Sequence, residues 1–213
     1  SRIYTRLVHW EMELEQAGST LSDMLEMQKL EANAAFSKYV RKNYEDWVSG
    51  NPHPLMSHEL FKTKVFPALD NGEKILFVLI DNFRLDQWCK VKPLLTDYFN
   101  ATEEIYYSIL PTATQYARNA IFSGLMPDQI SKMFPELWVD EEEEEGKNLN
   151  ESPLIQTQID RYRKHYTFSY SKIKQSSSAQ KIRKNKTHHK SNQPNRRGLH
   201  FTHSTPPARP HSK

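Results

Sequence analysis

ILFVLIDNF, residues 75–83, decides how this chain is read. An unbroken apolar run from Ile75 to Ile80 ends on the carboxylate of Asp81. Its β-branched and aromatic character predicts a strand covered on both faces, as in a parallel sheet. About thirty residues on, LPTATQYARNAIFSG (110–124) carries Thr112 and Thr114 at a point where a turn becomes a helix. Between the two, RLDQWCKVKPLLTDYF predicts a helix broken near Pro93, and ATEEIYYSIL (101–110) alternates enough to predict a second strand. Strand, helix, strand, helix is the order of an α/β sheet with right-handed crossovers. Ligands of open sheets sit outside the carboxyl ends of the strands, where Asp81 and the PTAT turn both fall.

Those residue types suit phosphoryl chemistry. Asp81 offers a hard oxygen donor for a divalent metal. A threonine hydroxyl is a poor nucleophile unless a base or a metal activates it. With Thr114 in the first turn of a helix, free backbone N–H groups and the positive end of the helix dipole would face an incoming phosphate. Arg118, four residues on, shares that helical face and can reach phosphoryl oxygens. Strand-end aspartates and threonine caps are also common in ordinary cores, so the residues alone leave a structural and a catalytic reading open.

Upstream, to about Asp70, the pattern is helical. Leu14, Leu21, Met24, Leu25, Met27 and Leu30 recur at steps of three and four, continued through Phe36, Tyr39 and Val40. Gly18-Ser19-Thr20 interrupts the run and offers Ser19 or Thr20 as a cap. Pro52 and Pro54 force a turn, and Ser57 caps a short helix ending near Pro67. A small antiparallel bundle follows, with the Met and aromatic stripe as its core. Downstream, PDQISKMF and SPLIQTQIDRYRKH read as helices and YTFSYSKI (166–173) as a third strand. The acidic run from Asp140 to Glu145 reads as a solvated surface segment rather than a cation site.

The formal net charge of +3 is unevenly spread. Lys174 to Lys213 holds ten Lys and Arg and no acid, so residues 1–173 carry 19 bases against 26 acids. With five of the nine histidines, four of the twelve prolines and few large apolar residues, the tail reads as disordered. The abrupt switch predicts a shifted reading frame after about Ile173, which the coding DNA would show. Two other readings of the tail are a basic nucleic-acid arm, with only Phe201 for stacking, and a zinc site of His188, His189, His200 and His203 at no familiar spacing. No apolar run spans a membrane and no signal peptide is evident, while the single Cys89, expected as a small buried hydrophobe, excludes a disulfide framework. The cytoplasm is the expected compartment. The chain opens on Ser1 inside a helical pattern without Met, which suggests a piece of something longer.

LIDNFRLDQW resembles the first metal-ligand motif of the alkaline phosphatase superfamily, and PTATQYARNAIFSG resembles its nucleophile motif. More narrowly, helices leading into ILFVLIDNFRLDQW and then LPTATQYARNAIFSGLMPDQISKMFPELW resemble PorX-type response regulators with a PglZ effector domain. The resemblance covers about residues 1–173. It implies an α/β fold with an N-terminal helical bundle (1–70) and a partial, mostly parallel alkaline-phosphatase-like sheet domain (71–173), to which the composition adds the disordered basic tail (174–213). It further implies a receiver domain ahead of the bundle, two zinc ions, Thr114 as nucleophile and metal contact, Asp81 as metal ligand and Arg118 on phosphate. A phosphoester or nucleotide substrate, a sensor histidine kinase, a sigma factor, a role in type IX secretion, and dimerisation of the full protein on phosphorylation are its further implications. Asn82 stands where Gly is usual, and Ala117 where many relatives place a phosphate-contacting Asn. The superfamily's later Asp-His pair has no counterpart, because no Asp-His dipeptide occurs and no acid follows Asp160. The expectation is a PglZ-type phosphodiesterase or phosphatase fragment that is inactive by itself, the alternative a non-catalytic signalling module.

Overall fold

The structure is a computed structural model that describes residues 2–14, 19–138, 149–173 and 198–204. The acidic run 140–145, most of the basic tail, His188 and His189 lie outside these residues. The chain divides into two compact units, residues 1–54 with 83–105 and residues 55–82 with 106–213.

In the first unit, α1 (Arg2–Leu14) and α2 (Ser19–Val48) form a helical pair, the second beginning at the predicted Gly-Ser-Thr break. Leu7 and Val8 of α1 and Leu25 of α2 are buried, and Lys29 Nζ lies 2.6 Å from Glu11 Oε1. The Met and aromatic stripe is not a core. Met24, Met27, Leu30, Phe36 and Tyr39 are exposed. At 1.5 Å per residue the 13 residues of α1 cannot cover the 30 of α2, which explains the long uncovered face. The unit is completed by α4 (Leu85–Thr96), which runs through Pro93 without a break and buries no residue fully. Cys89 is half-buried rather than buried, with its Sγ 3.9 Å from His9 Nε2.

The second unit holds the sheet. Met56, not Ser57, is the N-cap of the turn Ser57–Glu59, its N–H donating to Glu59 Oε2 at 3.1 Å. Ser57 is buried, and its hydroxyl accepts from Ile109 N at 3.2 Å. Pro67 does not end a helix: it lies near the start of α3 (Phe66–Asp70), which continues directly from the π-helical turn Phe61–Val65, where the regular i−4 bonding that a proline would break is already interrupted. The turn at Asn71-Gly72 then delivers β1 (Ile75–Ile80). Residues 101–110 form no strand. Tyr107 makes a single bridge to Met56 and Ile109 is buried, but Glu103, Glu104 and Ile105 remain exposed, so only the end of the segment meets the core.

Three parallel strands make the sheet in the order β1, β3 (Gly198–Ser204), β2 (Thr167–Ile173). The expectation of a wholly disordered tail is therefore corrected at 198–204, where the alternating GLHFTHS supplies a strand. Ile75, Phe77 and Leu79 pack on a core built around Phe61, Phe66, Phe122, Leu154 and Ile155. The other face of β1 is open, with Leu76 57%, Val78 49% and Ile80 41% exposed. Cover on both faces was the expectation. The second unit's helices α5 (Thr114–Ser123), α6 (Pro127–Met133) and α7 (Glu151–Arg161) carry buried residues of the core that the inward face meets. No described helix is long and apolar enough to cross a membrane.

Candidate functional site

The strand-end turn fixes the first group. Asp81 follows the last residue of β1 with its side chain partly exposed, and Asn82 after it has φ 53°. That left-handed conformation strains most L residues and suits Gly or Asn, which accounts for Asn82 at a position where Gly is usual.

The second group comes from α5. Its N-cap is Ala113, which supplies no side-chain hydrogen bond, so the first-turn N–H groups lack a capping oxygen. Thr114 is the first helical residue, as predicted from the PTAT turn; it is half-buried, whereas Thr112 is exposed. Arg118, one turn further along the same face, is 5% exposed. Its Nη1 lies 3.7 Å from Asp81 Oδ2. The structure thus brings Asp81 and Arg118 together directly and places Thr114 one helical turn away.

The third group was missed by the sequence. Glu151, the first residue of α7, is 0% exposed and accepts a hydrogen bond from Arg118 Nη2 and another from the Tyr170 hydroxyl. Lys172 Nζ approaches the same carboxylate at 3.7 Å. Tyr170 and Lys172 are two residues apart on β2 and so share a face. Burial, and then the bond to Glu151, push the Tyr170 phenol well above its ordinary range. A lone Glu at the start of a predicted helix gives no sign of a partner 33 residues earlier.

The far end of α5 is anchored too. Gly124 ends the helix at φ 65°, and the Arg161 guanidinium donates to the Ser123 carbonyl, a cation placed where the helix dipole favours one. Burial lowers the Arg161 pKa from its ordinary value.

A sequence model described as the BREX system PglZ alkaline phosphatase-like domain matches residues 60–190, more than half of the chain. The chain belongs to the PglZ alkaline phosphatase-like family. A second, the PorX response regulator linker domain, matches residues 1–48. A PglZ domain thus follows a response-regulator linker, an arrangement that points to two-component signalling partners in general. No curated protein matches the chain.

PglZ membership implies metal dependence, which can be tested against the donors present. From the two motifs these are the Asp81 carboxylate and the Thr114 hydroxyl, and Asp81 faces a guanidinium that opposes a neighbouring cation. Among the described residues no group of three or more His, Cys, Asp or Glu is placed to hold a metal ion. This donor set does not fit a two-metal centre. What the corner can do is present a cation, a hydroxyl and helix N–H groups to an oxyanion.

Proposed function

We propose that this chain is the linker and the beginning of the effector domain of a PorX-like response regulator. In that reading the PglZ domain is of the zinc-dependent phosphodiesterase or phosphatase type, with Thr114 as nucleophile, Asp81 as a metal ligand and Arg118 orienting the phosphate. The observation that carries it is the 3.7 Å approach of Arg118 to Asp81, which joins the two motifs in one corner. The order of the two family matches supports the same assignment. The chain as it stands recognises a phosphoryl group without turning it over, because the donors among the described residues do not complete a metal centre. The full regulator acts on a phosphoester or nucleotide in the cytoplasm, answers to a sensor histidine kinase, communicates with a sigma factor and serves type IX secretion. Hydrolysis of an aryl phosphodiester with added Zn²⁺ tests this: a version carrying the later Asp and His ligands turns over and loses activity on Thr114→Ala. Retention of full activity by that variant would remove Thr114 from the chemistry.

A second reading is favoured by the linker match at residues 1–48. The helical pair transmits the state of a receiver to partners, and the PglZ domain acts as an interaction module. Loss of regulation by the full protein in linker variants, with Thr114→Ala silent, is its signature.

A further inference from the structure

We propose that Glu151, with Tyr170 beside it, is the positioning residue for Arg118. The inference rests on the reading of Arg118 as the group that orients phosphate. A carboxylate with no exposed surface is costly to bury unless it is paired and hydrogen-bonded, and Glu151 has three groups at hand: Arg118 Nη2, the Tyr170 hydroxyl and Lys172 Nζ at 3.7 Å.

A guanidinium is planar, so a bond that fixes one of its nitrogens fixes the direction of the others. Here Nη2 is held by Glu151 while Nη1 is turned to Asp81 at 3.7 Å. Among the described residues Nε is buried without a hydrogen-bond partner, so the direction of the head group is set by what meets Nη1 and Nη2. Glu151 is the inner and fully buried one, and Asp81 the partly exposed one. Glu151 therefore aims the cation, and Asp81 occupies the edge that an oxyanion would take. Tyr170 donates to Glu151 and keeps its carboxylate from turning away. The anchor arrives on α7 and β2, neither of which carries a motif residue.

The test uses the 213-residue chain with two readouts. The first is the set of Arg118 side-chain N–H signals in ¹⁵N-edited NMR, assigned with Arg118→Lys. The second is inorganic phosphate binding by calorimetry. In the wild type the Nη signals are separate, because rotation is hindered. In Glu151→Gln they merge, and phosphate binding weakens about tenfold, a 1.4 kcal/mol effect, while Tyr170→Phe does the same to a smaller degree with its fold intact by circular dichroism. If Glu151→Gln does not fold, Tyr170→Phe carries the measurement alone. Separate signals and unchanged phosphate affinity in these variants, with binding abolished by Arg118→Ala, would overturn the proposal. Signals that depend on Glu151 in a wild type that binds no phosphate would support the anchor and overturn the phosphate reading of Arg118.

Discussion

Arg118 Nη1 stands 3.7 Å from Asp81 Oδ2, a buried cation facing the carboxylate that ends the first strand. The two partners are unequal. Arg118 is also the counter-ion of the fully buried Glu151, whereas Asp81 retains contact with solvent. Arg118→Ala leaves Glu151 as a buried charge without its guanidinium and is expected to cost about 3–5 kcal/mol. Asp81→Asn is expected to cost about 1 kcal/mol or less, since partly solvated pairs contribute little. Urea denaturation of the two variants measures the difference.

Asn82 carries the turn out of β1 at φ 53°. Asn82→Gly is therefore expected to leave stability within about 1 kcal/mol of wild type, and Asn82→Val to lower it by about 1–2 kcal/mol through left-handed strain. The same denaturation series separates them.

Gly124 combines two constraints. Its φ of 65° is left-handed, and a Cβ there would collide with the side-chain amide of the buried Gln158. Gly124→Ala is expected to destabilise by about 1–3 kcal/mol, as overpacking does, with a lower melting temperature in calorimetry. Gly50, whose φ is also positive but which has open space around a Cβ, should tolerate Ala better.

Tyr170 sets a pH dependence. Its phenol holds its proton more tightly in the folded chain than at the ordinary value of 10.0, because of burial first and the Glu151 bond second. A raised folded pKa contributes stability in full below pH 10 and loses it as pH rises above that value. Tyr166, also raised, adds to the same slope. Denaturation between pH 9 and 11 should show wild type losing stability and Tyr170→Phe losing less, with both slopes equal if Tyr170 titrates alike folded and unfolded.

Local patterns carried much of this structure. The apolar run predicted β1 at Ile75–Ile80, the PTAT turn predicted a helix starting at Thr114, and YTFSYSKI predicted β2. Each is fixed by neighbours in sequence. The failures are long-range. Alternation in ATEEIYYSIL satisfied a strand template, but this segment found only one backbone bridge and no sheet to join. Tail residues 198–204 looked too polar to order, yet they pair with both other strands, a gain that composition does not register. The stripe on α2 had helical spacing but no partner long enough to bury it. At the candidate site, Asp81, Thr114 and Arg118 belong to the two motifs, and their places at a strand end and on one helical face were legible. Glu151, Tyr170 and Lys172 belong to none, because a buried ion network is assembled from separate elements by packing.

The proposed function requires that these 213 residues hold the recognition half of a PglZ site without completing its chemistry. Turnover of bis(p-nitrophenyl) phosphate by the purified chain with added Zn²⁺ tests this most directly, with Thr114→Ala measured in parallel. Equal background rates are expected for the two. Hydrolysis above background that disappears in Thr114→Ala would contradict this requirement.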